Sequence, residues 1–249
     1  MKRSKRKTRR AKRSPLISII IPTLNEEKNI GFVLRALRNQ DYEGKYEIIV
    51  ADSYSEDKTV EIAKKYADKV VLESKRSVSA GRNAGAREAK GEILVFLDAD
   101  TYVLPNFLEV IEKSFKDRKV IGVQVAIISE AFGYLIHHLI SSLLHEFSFL
   151  AGYPIVSTVA FACRRDAFWR VGGFNEEMKL TEDIDLGLRL AKYARQNGKI
   201  LIYTRETMVL TSSRRLKRLG VIRFLAKWPL GYIHWKLRGK LPSYEPVRE

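Results

Sequence analysis

Short apolar runs alternate with longer amphipathic stretches along the first hundred residues. The stretches repeat apolar residues at helical spacing, as at 30–37, or are rich in small residues, as at 79–89. The runs have the length and β-branched composition of strands that are buried on both faces. They lie at 16–21, 46–51, 69–72 and 92–97. Because strands that alternate with helices over short connections form parallel sheets, the pattern predicts an α/β fold with a mostly parallel sheet flanked by helices.

The order is less regular after residue 101. The pattern predicts a helix near 105–117, a strand over 119–128 and an amphipathic helix that begins at the acidic cluster 181–185. Residues 131–150 are strongly apolar and have two interpretations: a core helix that covers the sheet, or a helix that lines an acceptor site near a membrane. No uninterrupted run of 18 apolar residues occurs, so the sequence predicts no transmembrane helix.

Polar residues follow three of the predicted strands at the point where each strand ends. The first strand leads into 22–26 (PTLNE), the second into 52–55 (DSYS) and the fourth into 98–100 (DAD). Parallel sheets bind ligands beyond the carboxyl ends of their strands, so these residues are the candidate site.

Two acidic features at these strand ends suggest a nucleotide site. Asp98 and Asp100 can jointly hold a hard divalent cation with phosphate oxygens completing its shell, although a solvated turn has the same sequence. Asp52 can accept hydrogen bonds from a base or ribose, or it can cap the following helix. The glycine-rich phosphate motifs are absent from the sequence, which favours a metal ion in their place.

Five segments in order together resemble glycosyltransferase family 2, whose members have the GT-A fold. The resemblance covers about 16–213. The segments are IIIPTLNEEKNI (19–30), VADSYSEDKT (50–59), GRNAGAREAKGEILVFLDAD (81–100), RRDAFWRVGGFNE (164–176) and TEDIDLGLRL (181–190). The resemblance implies a Rossmann-like sheet and transfer of a sugar from a nucleoside-diphosphate sugar.

The resemblance also implies where the nucleotide binds. Pro22, Thr23 and Glu26 would form a wall of the nucleotide site, Asp52 would contact the base, and Arg82 would lie near the nucleotide. The chain departs from the family at Leu24, where many members have an aromatic residue, and at 52–55, where many have D-D-G-S. The base and the donor sugar are therefore left open.

The catalytic residues implied by the resemblance are acidic. Asp98 and Asp100 match the family's D-x-D motif, which holds Mg²⁺ or Mn²⁺ on the sugar diphosphate. Asp98 would therefore contribute to binding of the donor as well as of the metal. Asp183 matches the catalytic base, with Glu182 beside it. A hydroxyl acceptor would give its proton to Asp183 and attack with inversion. A lipid phosphate acceptor would instead need a cation near Asp183, for which Arg164 and Arg165 are the sequence candidates.

The net charge of +16 is confined to the two ends of the chain. Residues 1–13 carry nine Lys or Arg and no acid, 214–249 carry a net +8, and 14–213 carry −1. A neutral body argues against a protein that grips nucleic acid, so no nucleic-acid partner is expected. The charge and the resemblance together predict three regions: a disordered basic tail (1–14), a GT-A domain (15–213) and a basic aromatic helical segment (214–249).

The C-terminal segment combines basic side chains with interfacial aromatic ones. Trp228, Tyr232 and Trp235 lie among its Lys and Arg residues, a composition typical of helices in the headgroups of an anionic membrane; a helix packed on the core is the alternative. With a single cysteine and no signal peptide pattern, the chain is expected in the cytoplasm, peripheral to the inner face of the cell membrane. The acceptor would be a glycan or lipid-linked. The alternatives are a soluble transferase for a glycan or small molecule, and an inactive GT-A body whose basic ends bind nucleic acid.

Overall fold

The structure, a computed structural model, describes residues 16–129, 135–178 and 181–212. The predicted N-terminal tail and the predicted C-terminal helical segment lie outside the described residues. Eight strands are present in the described part: β1 (Ile17–Thr23), β2 (Tyr46–Asp52), β3 (Lys69–Leu72), β4 (Ile93–Leu97), β5 (Thr101–Val103), β6 (Val120–Ser129), β7 (Ala160–Arg164) and β8 (Ile200–Thr211). The helices are α1 (Ile30–Arg38), α2 (Thr59–Ala63), α3 (Val78–Glu88), α4 (Phe107–Ser114), α5 (Leu135–Leu150), α6 (Arg165–Arg170) and α7 (Glu182–Gln196).

The strands form one sheet in the order β3-β2-β1-β4-β7-β6-β8-β5. β1 is parallel to β2 and β4, and β2 is parallel to β3. β7 is antiparallel to both β4 and β6, so β6 runs in the same direction as β4, and β8 is parallel to β6. The carboxyl ends of β1, β2, β4, β6 and β8 therefore share one edge of the sheet, which we call the carboxyl edge. The mostly parallel α/β sheet is confirmed.

Several elements differ from the sequence-based expectation: β5, β7, β8 and α6 were not predicted. The insertion of β7 between β4 and β6 was not predicted, because strand order depends on long-range pairing that a local pattern does not encode. The apolar spacing over 58–67 predicts a helix to residue 67, whereas α2 ends at Ala63. The amides of Lys65 and Tyr66 bond three residues back, as Tyr66 N does to Ala63 O over 3.0 Å.

The sheet separates two apolar cores. One side packs against α1 and α4, with Ile19 of β1 and Phe107 of α4 fully buried; the other packs against α3, α6 and α7. α3 lies close to β1 because it has glycines where it touches the sheet. A Cβ added to Gly85 would lie 2.5 Å from Ile20 Cγ2, closer than side chains can approach. The small-residue helix is thus fitted to the sheet, and this close packing buries Arg82.

No helix in the described residues is both long enough and apolar enough to cross a membrane. α5 was expected either in the core or near a lipid surface, and it packs on β6 and β8.

Candidate functional site

The carboxyl edge collects the residues that were predicted from the strand ends. The chain there adopts left-handed backbone conformations at non-glycine residues: φ is +55° at Asn25, +59° at Tyr54 and +46° at Arg76, in the loops that follow β1, β2 and β3. Thr181, directly before α7, has φ of +62°. A β-branched residue rarely adopts this conformation, and such strain concentrates at functional sites.

Asp52 is fully buried and organises the loop that follows β2. Its carboxylate accepts hydrogen bonds from Thr23 Oγ1 (2.7 Å), Ser55 N (2.8 Å) and Ser55 Oγ (2.6 Å). Ser55 Oγ in turn accepts a hydrogen bond from Asn25 N over 2.8 Å, which ties the loops after β1 and β2 together. Asp52 therefore supports the walls of the site through Thr23 and Ser55. Its contact with a base stays a prediction.

Glu26 lies in the same wall and connects it to α2. Its backbone N–H donates to Thr59 Oγ1 (2.8 Å), and its carboxylate accepts a hydrogen bond from Asn29 Nδ2 (2.7 Å). Pro22 lies beside α3, since a Cβ added to Gly81 would be 3.5 Å from Pro22 Cβ. Residues 22–26 thus form a continuous wall between α3 and α2.

Arg82 lies between the two acidic motifs. Its side chain is 4 % exposed, and its two terminal nitrogens lie 2.9 Å from Asp98 Oδ1 and 2.9 Å from Glu182 Oε1. The guanidinium carbon is 5.4 Å from the centre of the Phe174 ring. Burial disfavours the charge, but Asp98, Glu182 and Asp183 outweigh it, so the pKa of Arg82 is raised. One cation therefore holds the D-x-D motif and the start of α7 together.

Asp183 has the electrostatics of a general base. Removal from water, and next the charge of Glu182, raise its pKa from 3.8 to about 7 against the opposing charge of Arg82. A carboxylate with a pKa near neutrality can take up a proton from an acceptor hydroxyl, which an ordinary aspartate does poorly. The role of Asp183 as the base stays a prediction.

The cation beside the acidic pair is not Arg164 or Arg165, which the sequence offered as candidates. Arg164 donates to the carbonyls of Phe115 and Val120, and Arg165 donates to the carbonyl of Ala89. Both side chains thus stabilise chain connections away from Asp183. Arg82 takes the position that was considered for them, because α3 crosses the sheet beside α7.

The donor set of the D-x-D motif fits a metal ion that is shared with a substrate. In the described residues no cluster of three or more His, Cys, Asp or Glu side chains could hold a metal ion. Asp98 and Asp100 are carboxylates at the carboxyl edge, and Mg²⁺ or Mn²⁺ commonly binds one or two carboxylates together with substrate phosphates. The residues present therefore fit such an ion in company with a diphosphate.

Two further residues organise the site: Ser55, which the sequence offered only as part of 52–55, and Asn83, which the sequence did not single out. Ser55 ties two loops together, and Asn83 clamps the segment before α7: its amide donates to Phe174 O (2.9 Å) and accepts from Phe174 N (2.9 Å). Asn83 also donates a hydrogen bond to Glu176. The hydrogen bonds from Lys75 and Asn83 lower the pKa of Glu176 to about 2. Ser55 could have been found from its spacing to Asp52, typical of a side-chain turn. Asn83 has no local signal.

Comparison with known proteins gives a consistent result. The family model described as glycosyl transferase family 2 matches residues 18–172. Glycosyltransferase AglE of Haloferax volcanii is 38 % identical over 102 residues, 38 % of this chain and 34 % of that protein. Beta-monoglucosyldiacylglycerol synthase of Trichormus variabilis is 31 % identical over 193 residues, 71 % of this chain and 41 % of that protein. The chain thus spans less than half the length of either relative.

Solved structures share the fold. The mannosyltransferase PcManGT from Pyrobaculum calidifontis, in complex with GDP-Man and Mn²⁺, superposes with a TM-score of 0.70 at 22 % identity, covering 92 % of this chain and 66 % of that one. S. aureus TarS in complex with UDP-GlcNAc superposes with a TM-score of 0.65 at 20 % identity, covering 79 % and 58 %. The GT-A architecture that was expected from the sequence motifs is confirmed.

Proposed function

The chain belongs to glycosyl transferase family 2, and on this premise we propose that it is an inverting glycosyltransferase that uses a nucleoside-diphosphate sugar. The observation that carries the proposal is the Arg82 bridge. It holds Asp98 of the D-x-D motif and Glu182, next to the candidate base Asp183, at one edge of the sheet. This contact supports a metal-diphosphate site beside a general base, the pairing that transfer from a nucleotide sugar requires.

The reaction joins the acceptor oxygen to the anomeric carbon. Asp183 removes the proton of an acceptor hydroxyl as the oxygen attacks the face opposite the leaving group. The bond between the anomeric carbon and the diphosphate oxygen breaks, and the nucleoside diphosphate leaves with the electron pair. Attack from the opposite face inverts the anomeric configuration. Thr23, Glu26 and the loop organised by Asp52 would hold the nucleoside part of the donor.

We also propose a divalent metal ion as the cofactor. Asp98 and Asp100 would hold Mg²⁺ or Mn²⁺, which when bound offsets the negative charge that develops on the diphosphate. The GDP-Man and Mn²⁺ bound in the complex of PcManGT support this.

We further propose a lipid-linked acceptor at the cytoplasmic face of the cell membrane. The basic aromatic residues of 214–249 support a membrane surface, since each basic residue near an anionic leaflet contributes on the order of 1 kcal/mol. The similarity to beta-monoglucosyldiacylglycerol synthase, whose name denotes a glycolipid product, also supports it.

A panel of nucleotide sugars tests the proposed reaction. UDP-GlcNAc and GDP-Man head the panel because the structural neighbours bind them. We expect at least one donor to raise the unfolding temperature in the presence of Mn²⁺, because a ligand of the native state stabilises it. Asp98→Asn should lose the shift, and Asp41→Asn, at an exposed loop position, should keep it. If no donor gives a Mn²⁺-dependent shift, the proposal is wrong.

A further inference from the structure

The second half of α5 exposes apolar side chains, whereas a helix on a water-facing surface exposes polar ones. All of its exposed residues over 142–150 are large and apolar: Leu143, Leu144, Phe147 and Leu150. Phe147 is 69 % exposed and Leu150 82 % exposed. Their spacing of three and four residues places them along one side of the helix. A surface helix normally shows its polar side to water, so this apolar stripe needs an apolar environment.

Ser142 and Ser148 of the same helix point toward the protein. Ser142 Oγ shares a 2.6 Å hydrogen bond with Tyr203 Oη on β8, and Ser148 Oγ donates to His145 O over 2.6 Å while accepting from Ile155 N. Phe149 packs on the Tyr203 ring with centroids 6.2 Å apart. The helix is thus held to the sheet by its own polar and aromatic contacts, which leaves the apolar stripe outward.

The stripe continues into the loop that follows α5 and has basic side chains at its margin. Tyr153 is 66 % exposed and Ile155 is 40 % exposed. The Arg195 guanidinium lies 5.6 Å from the centre of the Tyr153 ring, and Arg205 pairs with Glu146 on the edge of the helix. Apolar and aromatic side chains bordered by arginines are the composition found at a membrane interface.

The loop connects this surface directly to the candidate site. It ends at Val159, whose carbonyl accepts a 3.4 Å hydrogen bond from Asp98 N. Its middle packs on α7, where a Cβ added to Gly187 would lie 2.7 Å from Val156 Cγ2. The apolar stripe is therefore one short loop away from both Asp98 and the helix that carries Glu182 and Asp183.

The chain leaves the described structure at the carboxyl edge. Thr211 pairs with Ser129, and Ser212 N donates to Asp100 O over 3.2 Å, so residues 213–249 start at the carboxyl edge. Those residues include the net charge of +8 described above. The chain therefore carries a large positive charge in addition to its exposed apolar surface.

We propose that Leu143, Leu144, Phe147, Leu150, Tyr153 and Ile155 form a membrane-docking surface that enters the interface of an anionic lipid bilayer. The charge in 213–249 favours lipid headgroups over a neutral protein partner. Docking through this surface brings the loop 151–159 to the membrane, and this loop leads to Asp98. The inference rests on the proposed function only for the lipid-linked acceptor; the docking itself follows from the exposed residues.

Binding of the full chain to vesicles tests the proposal. The vesicles are phosphatidylcholine alone or phosphatidylcholine mixed with phosphatidylglycerol, and binding is measured by sedimentation. Phe147→Ser with Leu150→Ser should lower the partition coefficient for the mixed vesicles at least about tenfold, because two large side chains no longer leave water. The matched control is Leu72→Ser with Ile200→Ser, which removes two exposed apolar side chains from β3 and β8 and should bind as the wild type does.

A positional readout separates this surface from the charged ends. Leu150→Trp should add quenching by brominated acyl chains to that of the native tryptophans in the mixed vesicles, whereas Ile200→Trp should add none. Equal vesicle binding of both double variants with no added quenching at position 150 would overturn the proposal. Two other results would also overturn it, if the Phe147/Leu150 variant binds vesicles as the wild type does. A lower oligomer mass of this variant would mean that a second copy covers the stripe. A lower unfolding temperature without vesicles would mean that residues 213–249 cover it.

The test is independent of the catalytic assignment. Nucleotide-sugar stabilisation measured without vesicles involves residues at the carboxyl edge and not the stripe. If no donor stabilises the protein but the stripe governs vesicle binding, the proposed function fails and the docking surface stands. If a donor stabilises the protein and the stripe variant binds vesicles as the wild type does, only the proposed docking surface is wrong.

Discussion

Arg82 on α3 and Glu182 at the start of α7 are 100 residues apart in sequence, and their side chains form a 2.9 Å ion pair. The other terminal nitrogen of the same guanidinium binds Asp98, so the bridge joins the strand end that is expected to hold the diphosphate to the helix that is expected to hold the base. The planar guanidinium of arginine binds two carboxylates at once better than the single ammonium group of a lysine does.

Breaking this bridge should be costly. Arg82→Gln leaves two carboxylates without their cation, so we expect the free energy of unfolding to fall by about 3 kcal/mol. Glu182→Gln should cost less, because Arg82 keeps Asp98. Urea denaturation of both variants and of the double variant measures the coupling. If the effects of the two substitutions simply add, the residues do not interact.

The pH dependence of the reaction should report Asp183. Because its pKa is raised to about 7, kcat/KM for a hydroxyl acceptor should rise with pH and level off above about pH 7, where the carboxylate is charged. In Arg82→Gln the rise should move to higher pH, since Arg82 opposes the shift. A rate profile flat between pH 5 and 9 would contradict the role of base. An anionic phosphate acceptor, which brings its own charge, would give that profile.

The same shift has a consequence for stability with a defined sign. The native state holds a proton on Asp183 up to about pH 7, whereas the unfolded chain loses it near 3.8, so stability from this group falls as pH rises between the two values. Asp183→Asn should therefore abolish transfer and yet stabilise the protein at pH 8, on the order of 2 kcal/mol for a partly exposed group. Thermal unfolding of the variant and the wild type at pH 4 and pH 8 checks this: the gain should be confined to pH 8.

Gly187 should be required for the placement of α7. Alanine normally stabilises a helix by up to about 1 kcal/mol relative to glycine. Here the added Cβ would lie 2.7 Å from Val156 Cγ2 and 3.0 Å from Pro154 O, so the helix or the loop must move. We expect Gly187→Ala to destabilise by about 1–3 kcal/mol and to lower kcat, because Asp183 lies on the same helix. Lys192→Ala, at an exposed position of α7, should do neither.

Ser55 should affect donor binding more than catalysis. Ser55→Ala removes the hydroxyl that joins Asp52 to the backbone of Asn25, so the nucleotide wall loosens. We expect the KM for the donor to rise several-fold with kcat nearly unchanged. Ser114→Ala, which removes a hydroxyl bonded within α4, is the matched control. A loss confined to kcat would place Ser55 in the chemical step instead.

Much of the site could be predicted from local sequence. The apolar runs of β1, β2 and β4 and the acids directly after them determine which residues lie at the carboxyl edge, because strand direction and burial follow from the runs themselves. Asp52 and Asp98 were identified in this way, and the segments around them carried the family resemblance.

Only the tertiary structure shows which cation pairs with Asp98 and Glu182, and which side of α5 faces outward. The sequence offered Arg164 and Arg165 as neighbours of Asp183, but side-chain pairing depends on how helices cross the sheet, and there α3 brings Arg82 instead. The apolar content of 131–150 was plain in the sequence, yet both a core helix and a lipid-facing helix have that content. Only the packing of Ser142 and Phe149 against Tyr203 shows that the leucines are left outside. Composition determines that a helix is apolar, and contacts between distant segments decide which side it buries.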